Sequence, residues 1–284
     1  MASVKEYLSL VKFSHTVFAL PFALIGFFLA TNQYGIDWQI LVFVILCMVF
    51  ARSAAMAFNR FLDRDIDLKN PRTANVREIP NGTIKASSAL IFVIINCAAF
   101  VASTYFINTI CLTLSPLALF IVLGYSYTKR FTALCHLVLG LGLSLSPLGA
   151  YLAVTNQFEI APFFFSVAVL FWVSGFDIIY ALQDEQFDSK NGLNSIPVLV
   201  GRKRALIFSR IFHFLSVTSL MLSTIFISFG ILFWIGVLVF SLLLIYQHLI
   251  ISENDLSRIN IAFFTTNGIA SVIFGLFVIL DLVI

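Results

Sequence analysis

Charge is what this sequence has little of. Only 11% of its 284 residues are charged, where a soluble globular domain carries about a quarter. Long polar stretches are scarce too, since 60% of the residues are apolar and the mean hydropathy is +1.01. These two shortages exclude an ordinary soluble domain and leave one membrane domain spanning residues 1–284. Cysteine is sparse as well. Cys47, Cys97, Cys111 and Cys135 are scattered, with no C-x-x-C spacing and no clustered histidines, so neither a disulfide framework nor a zinc site is expected. The net charge of +3 says little by itself. No nucleic-acid partner is expected, and no obligate protein partner is evident.

What the chain does have is long apolar runs, and runs of about 18 residues or more mark membrane spans. The expected fold is an all-α membrane bundle of about nine transmembrane helices. The spans fall near 17–31, 39–58, 87–107, 110–127, 134–155, 160–182, 206–227, 229–250 and 260–283. Lys5 and Lys12 before the first run would suit a signal peptide, but the eight further runs make it the first span. Pro21, Pro116, Pro147 and Pro162 sit in or at the edges of spans, where neighbouring helices can re-satisfy the backbone.

The 17 Lys and Arg all fall on one side of this pattern. They precede span 1 or lie near the connections 2–3, 4–5, 6–7 and 8–9. The other connections carry only Asp37 and Glu159 as charges. By the positive-inside rule the N-terminus is cytoplasmic and the C-terminus outside. The expected place is therefore an inner (cytoplasmic) membrane, crossed many times. Two long charged connections, 59–86 and 183–205, then face the cytoplasm, and loops of that length are often functional.

Both loops carry aspartates. The first reads Asn59-Arg60-Phe61-Leu62-Asp63-Arg64-Asp65-Ile66-Asp67, and a helix would set Asn59, Asp63 and Asp67 on one face. In the second, Asp177, Asp184 and Asp188 also form one helical stripe. Asp63 to Asn70 and Asp184 to Asn191 both read D-x-x-x-D-x-K-N, and each is followed by an Ile-Pro pair, Ile79-Pro80 and Ile196-Pro197. The chain therefore reads as an internal repeat, roughly 1–130 and 131–284, whose acidic motifs could face each other across a cavity. Charges at a helix end are ordinarily just solvated. Two copies with shared flanks, plus Asp177 deeper in the membrane, argue against that, because intramembrane ionisable residues default to function. Mg²⁺ takes one or two carboxylates plus substrate phosphates, so two such pairs suit a diphosphate. Metals there would neutralise a leaving group, with Arg and Lys on the remaining phosphate oxygens.

These motifs resemble the UbiA superfamily of intramembrane prenyltransferases. The first follows N-R-x-x-D-x-x-x-D. The second follows Y-x-x-Q-D-x-x-x-D with G-x-x-S downstream, at Tyr180, Gln183, Asp184, Asp188, Gly192 and Ser195. The stretch His15 to Phe22 is similar to the family's first helix, and Tyr125 to Thr132 to its basic turn after span 4. Val76 is a departure, because the usual R-T-x-x-R spacing becomes R-T-x-x-x-R and leaves the placement of Arg77 open. Asn70-Pro71-Arg72-Thr73 and Gly192 to Pro197 look most like the 4-hydroxybenzoate polyprenyltransferase branch. They lean further, towards members that prenylate a dihydroxynaphthoate on the futalosine route to menaquinone.

The resemblance implies a nine-helix bundle around a central cavity with a cytoplasmic-side cap, Mg²⁺ as cofactor, and transfer of a polyprenyl group from polyprenyl diphosphate to a hydroxylated aromatic acid in ubiquinone or menaquinone biosynthesis. The acid would be 4-hydroxybenzoate or 1,4-dihydroxy-6-naphthoate. It implies Asp63, Asp67, Asp184 and Asp188 as catalytic metal ligands, with Asn59 beside them. Asn59, Arg72, Lys129, Arg130 and Lys190 are expected on the diphosphate, and Arg52, Tyr125, Tyr180 and Asp177 on the acceptor. Arg52 lies two turns deeper than Asn59, where it could hold an aromatic carboxylate or lock helices as an ion pair. Arg202-Lys203-Arg204 reads as an anchor to anionic lipid in the bilayer, and His15 as a helix-end histidine. A transporter would also show repeats and intramembrane acids. Here, however, the acids lie at one membrane side with phosphate-type basic partners.

Overall fold

The computed structural model describes residues 3–12, 16 and 18–284, without the side chains of residues 32 and 33. His15 lies outside the described residues. Among the described residues twelve α-helices follow one another: α1 (Val4–Leu10), α2 (Leu20–Tyr34), α3 (Trp38–Leu62), α4 (Arg64–Lys69), α5 (Ala86–Tyr105), α6 (Thr109–Thr128), α7 (Cys135–Thr155), α8 (Ile160–Ala181), α9 (Glu185–Lys190), α10 (Ile196–Ser223), α11 (Ile231–Ile250) and α12 (Asn267–Val283). A π-helical segment, Ile261–Thr266, leads into α12. No strand occurs among the described residues.

Among the described residues, eight helical stretches are long and apolar enough to cross a membrane, the last being Ile261–Val283. α2 is apolar but shorter, with 15 residues. The chain is thus a multi-pass, all-helical membrane protein. The helix starts follow local chemistry. Asp37 accepts from the Gln39 and Ile40 amides to cap α3, Asn108 accepts from Cys111 to cap α6, and Ser195 accepts from Val198 to cap α10.

Three expectations change. α1 is an additional short helix, closed at its start by a Ser3–Glu6 capping box. The connections 59–86 and 183–205 are partly helical. α3 continues to Leu62 and α4 follows at once, while α9 and the first turns of α10 occupy the second connection. The acidic motifs are also not single helical stripes. α3 stops at Asp63 and α8 stops at Ala181, so each motif bends from a long helix into a six-residue one. α10 starts at Ile196, ten residues before its apolar run. It breaks at Gly201, whose φ of 78° is strained for any residue with a Cβ.

α8 is the centre of the bundle. It is 61% buried over its span and packs between α7 and α10, whereas α6 is only 11% buried and faces outward. Lipid offers apolar side chains no worse a home than protein does, so close packing must hold these helices together. Gly26 illustrates this. A Cβ there would sit 2.0 Å from the Pro147 carbonyl oxygen, so α2 and α7 touch backbone to backbone. Trp172 on α8 anchors the aromatic core, with ring centroids 5.1–5.8 Å from Phe22, Phe176 and Phe240. Each such pair contributes about 0.5–1.5 kcal/mol beyond its burial. Its indole N–H donates to Asn267 Oδ1 at 2.9 Å, which satisfies the one polar atom it brings inside.

Candidate active site

Between these helices lies a cavity of about 810 Å³. Its mouth is lined by both acidic motifs. Its interior turns apolar and reaches Ile107 and Phe158, beside the opposite ends of α5 and α7. The volume is in the range of ligand cavities, about 300–1,000 Å³.

Each motif carboxylate is met by a basic side chain. Arg130 Nη2 is 2.9 Å from Asp63 Oδ1, Arg77 pairs with Asp67, Arg72 pairs with Asp184, and Lys129 Nζ is 3.7 Å from Asp188 Oδ1. Asn59 donates to Asp63 Oδ2 at 3.0 Å, and Asn70 to Asp184 Oδ1 at 3.1 Å. The bent motifs cause this arrangement. Ending α3 at Asp63 turns Asp67 inward on α4, where both carboxylates are buried. Asp188 is turned inward on α9 in the same way.

The electrostatics follow. Burial pushes the Asp188 carboxyl above its ordinary range; Asp184 and Asp63 push it the same way, against Lys129. Burial opposes the charge on Arg72, but its bonds to Asp184 and Tyr180 outweigh that and raise its pKa. Asp188 Oδ1 is buried without a hydrogen-bond partner among the described residues. An all-oxygen carboxylate set, with one buried oxygen whose Lys129 partner stands 3.7 Å away, fits a hard cation. No group of three or more His, Cys, Asp or Glu is gathered tightly enough among the described residues to cage a metal alone. Mg²⁺ commonly keeps waters and takes phosphate oxygens beside one or two carboxylates.

Most of the expected site residues converge. Arg52, Asn59, Asp63, Asp67, Arg72, Tyr125, Lys129, Asp177, Tyr180, Asp184 and Asp188 all line the cavity, and Arg130 grips Asp63 at its edge. Lys190 does not join them. It is exposed in the last turn of α9, as Lys69 is in α4, so the shared D-x-K-N spacing turns both lysines away from the cavity. Arg52 is no helix-locking ion pair among the described residues. Its Nη1 donates to the Val11 carbonyl at 3.0 Å. Exposed Val76 takes up the unusual spacing, and Arg77 still reaches Asp67.

Sequence reasoning missed Arg60, Asn70 and His136, which also line the cavity. Arg60 is buried, with Nε unpartnered among the described residues. His136 is an ionisable residue within an apolar run and Arg60 stands inside the first acidic motif, so both signals were available.

Residues 19–269 match the UbiA prenyltransferase family. The chain belongs to that family. It is a prenyl-transferring enzyme of the membrane. The structure of a UbiA homolog from Aeropyrum pernix K1 is 32% identical and superposes with a TM-score of 0.85, covering 94% of this chain and 98% of that one. A UbiA homolog from Archaeoglobus fulgidus bound to GPP and Mg²⁺ shares the fold at 23% identity, with a TM-score of 0.73 over 98% of this chain and 100% of that one. A 4-hydroxybenzoate octaprenyltransferase from Aliivibrio fischeri is 33% identical over 84% of this chain and 82% of its own length. One from Francisella tularensis is 30% identical over 86% and 85%.

Proposed function

We propose that this UbiA-family enzyme transfers a polyprenyl group from polyprenyl diphosphate to a hydroxylated aromatic acid, with Mg²⁺ as cofactor, in quinone biosynthesis. The observation that carries this is the pairing at one cavity mouth. Four carboxylates from two motifs meet four basic side chains, beside an apolar cavity that continues into the bundle. Such a mouth can bind a metal-bridged diphosphate, and such an interior can take its tail.

Asp63, Asp67, Asp184 and Asp188, with Asn59, would hold Mg²⁺. When bound, the metal neutralises the diphosphate as it leaves. Arg72, Lys129 and Arg130 would then exchange carboxylate oxygens for phosphate oxygens, Arg by bidentate contact. Loss of diphosphate leaves an allylic cation, which attacks an electron-rich ring. Arg52, deeper on the α3 face, would receive the acceptor's carboxylate, with Tyr125 and Tyr180 lining the ring site. Similarity to 4-hydroxybenzoate octaprenyltransferases supports a benzoate, whereas the Asn70 to Thr73 and Gly192 to Pro197 stretches lean to a dihydroxynaphthoate. The clustering of Lys and Arg supports an inner-membrane protein with its N-terminus and active site at the cytoplasmic face. The matched bends at Asp63 and after Ala181 support an internal repeat within one domain.

The test is direct. Purified protein receives Mg²⁺, a polyprenyl diphosphate and a panel of hydroxylated aromatic acids, and products are read by mass spectrometry. Prenylation of one acid establishes the reaction and names the acceptor. No product from any acid rejects the reading.

A further inference from the structure

His136 and Asp177 form a hydrogen-bonded pair that lines the cavity apart from the four motif carboxylates. His136 stands in the first turn of α7 and Asp177 near the end of α8. His136 Nδ1 lies 2.7 Å from Asp177 Oδ2. The backbone N–H of Ile196, the first residue of α10, donates to His136 Nε2 at 3.3 Å. That group can only donate, so Nε2 carries the lone pair and Nδ1 the proton. Nδ1–H therefore donates to Asp177. The ring is buried at 2% exposure, and the His136 carbonyl accepts from Ser174 Oγ at 3.1 Å. Three helices thus fix one imidazole in one tautomer.

Asp177 differs from the four motif aspartates. Each of those is paired with an Arg or Lys, while Asp177 is paired with none among the described residues. It lies seven residues before Asp184 and four before the end of α8, about 6 Å inside that helix end at a rise of 1.5 Å per residue. Its side chain reaches the cavity, near Tyr125, and no described residue hydrogen-bonds its Oδ1.

We propose that His136 is a positioning residue that aims the Asp177 carboxylate at the aromatic acceptor, and that Asp177 Oδ1 takes the ring proton released by prenylation. This rests on the function proposed above. The ring carbon bonds to C1 of the allylic cation using a π pair. The C–H bond at that carbon then breaks, its electrons restore the aromatic sextet, and the proton moves to Asp177 Oδ1. Asp177 later returns the proton to water at the cavity mouth. Diphosphate has already left with the electron pair of the C–O bond, so charge and atoms balance. An imidazole held on two sides keeps Oδ2 occupied and so leaves Oδ1 for the ring.

The test uses the full chain with Mg²⁺, a polyprenyl diphosphate and the accepted acid, deuterated at the position that becomes prenylated. Asp177→Asn should lower kcat by about 100-fold or more, the usual scale for a lost general base, and expose a primary isotope effect of about 2 or more. The KM for polyprenyl diphosphate should stay within about twofold of its original value, because the phosphate contacts are untouched. His136→Ala should also expose an isotope effect. His136→Gln, whose amide can still donate to Asp177, should partly restore kcat. If Asp177→Asn fails to fold, the isotope effect in His136→Ala decides by itself. Loss of activity without an isotope effect, or with a parallel rise in the diphosphate's KM, overturns the proposal, for then the pair only ties α7 to α8. Absence of product from the unaltered protein would reject the function itself, so the two failures are distinct.

Discussion

Arg72 donates from Nε to Asp184 Oδ1 at 3.0 Å, so the loop after the first acidic motif is bonded to the head of the second. The same guanidinium donates to the Tyr180 hydroxyl at 3.1 Å and lies over its ring at 5.4 Å. One side chain thereby sets the spacing between the two motifs. Removing a hydrogen bond to a charged group costs about 1.5–3 kcal/mol, so Arg72→Ala should lower kcat/KM for polyprenyl diphosphate by roughly ten- to hundredfold. Arg72→Lys keeps the charge but loses the fork and should recover only part of that. Steady-state kinetics on both variants would check it, and equal activity of Ala and the unaltered protein would show that the clamp is idle.

In the proposed function the motif aspartates act on the leaving group, not on packing. Asp63→Ala, Asp67→Ala, Asp184→Ala and Asp188→Ala should each lower turnover by at least about 100-fold while the protein still inserts and elutes as a single species. Near-normal activity in any two of them would mean that the metal lies elsewhere.

Asp188 gives a pH signature. Burial raises its pKa, so without metal its ionised form costs stability above that pKa, and the cost is relieved as pH falls through it. Mg²⁺ needs the ionised form. The rise in Tm on adding Mg²⁺ to EDTA-treated protein should therefore be largest at neutral pH. It should shrink on acidification sooner than an ordinary aspartate would cause. Asp188→Asn should flatten that dependence. Prenyl transfer undiminished in excess EDTA would refute metal dependence altogether.

Arg52 should govern the acceptor. Its Nη1 donates to the Val11 carbonyl, so a guanidinium in the cavity still lacks an anion among the described residues. Arg52→Ala should raise the acceptor's KM by about tenfold or more and that of the diphosphate far less. A shift confined to the diphosphate would move Arg52 into the phosphate site.

Topology can be read with reporter fusions. Fusions at residues 70 and 190 should report the cytoplasm, and one at the C-terminus the outside. A C-terminal reporter active only in the cytoplasm would break the nine-span arrangement.

The sequence alone determined that this chain lives in a bilayer and which polar residues gather at its cavity. Long apolar runs, few charges and two D-x-x-x-D copies are local properties, and local properties survive without coordinates. Eleven of the expected site residues line one cavity for that reason. Only the tertiary structure decided how they meet. The helix breaks at Asp63 and beyond Ala181 turn Asp67 and Asp188 inward and leave Lys190 outside, and no stripe on a helical wheel contains a break. The bonds from Arg72 to Asp184, from Arg130 to Asp63 and from His136 to Asp177 join residues 112, 67 and 41 positions apart. In a membrane such pairings are set by which helices pack side by side, because lipid satisfies apolar surface equally well in many arrangements. Backbone contacts such as Gly26 against Pro147 select one of them, and they exist only once the bundle has closed.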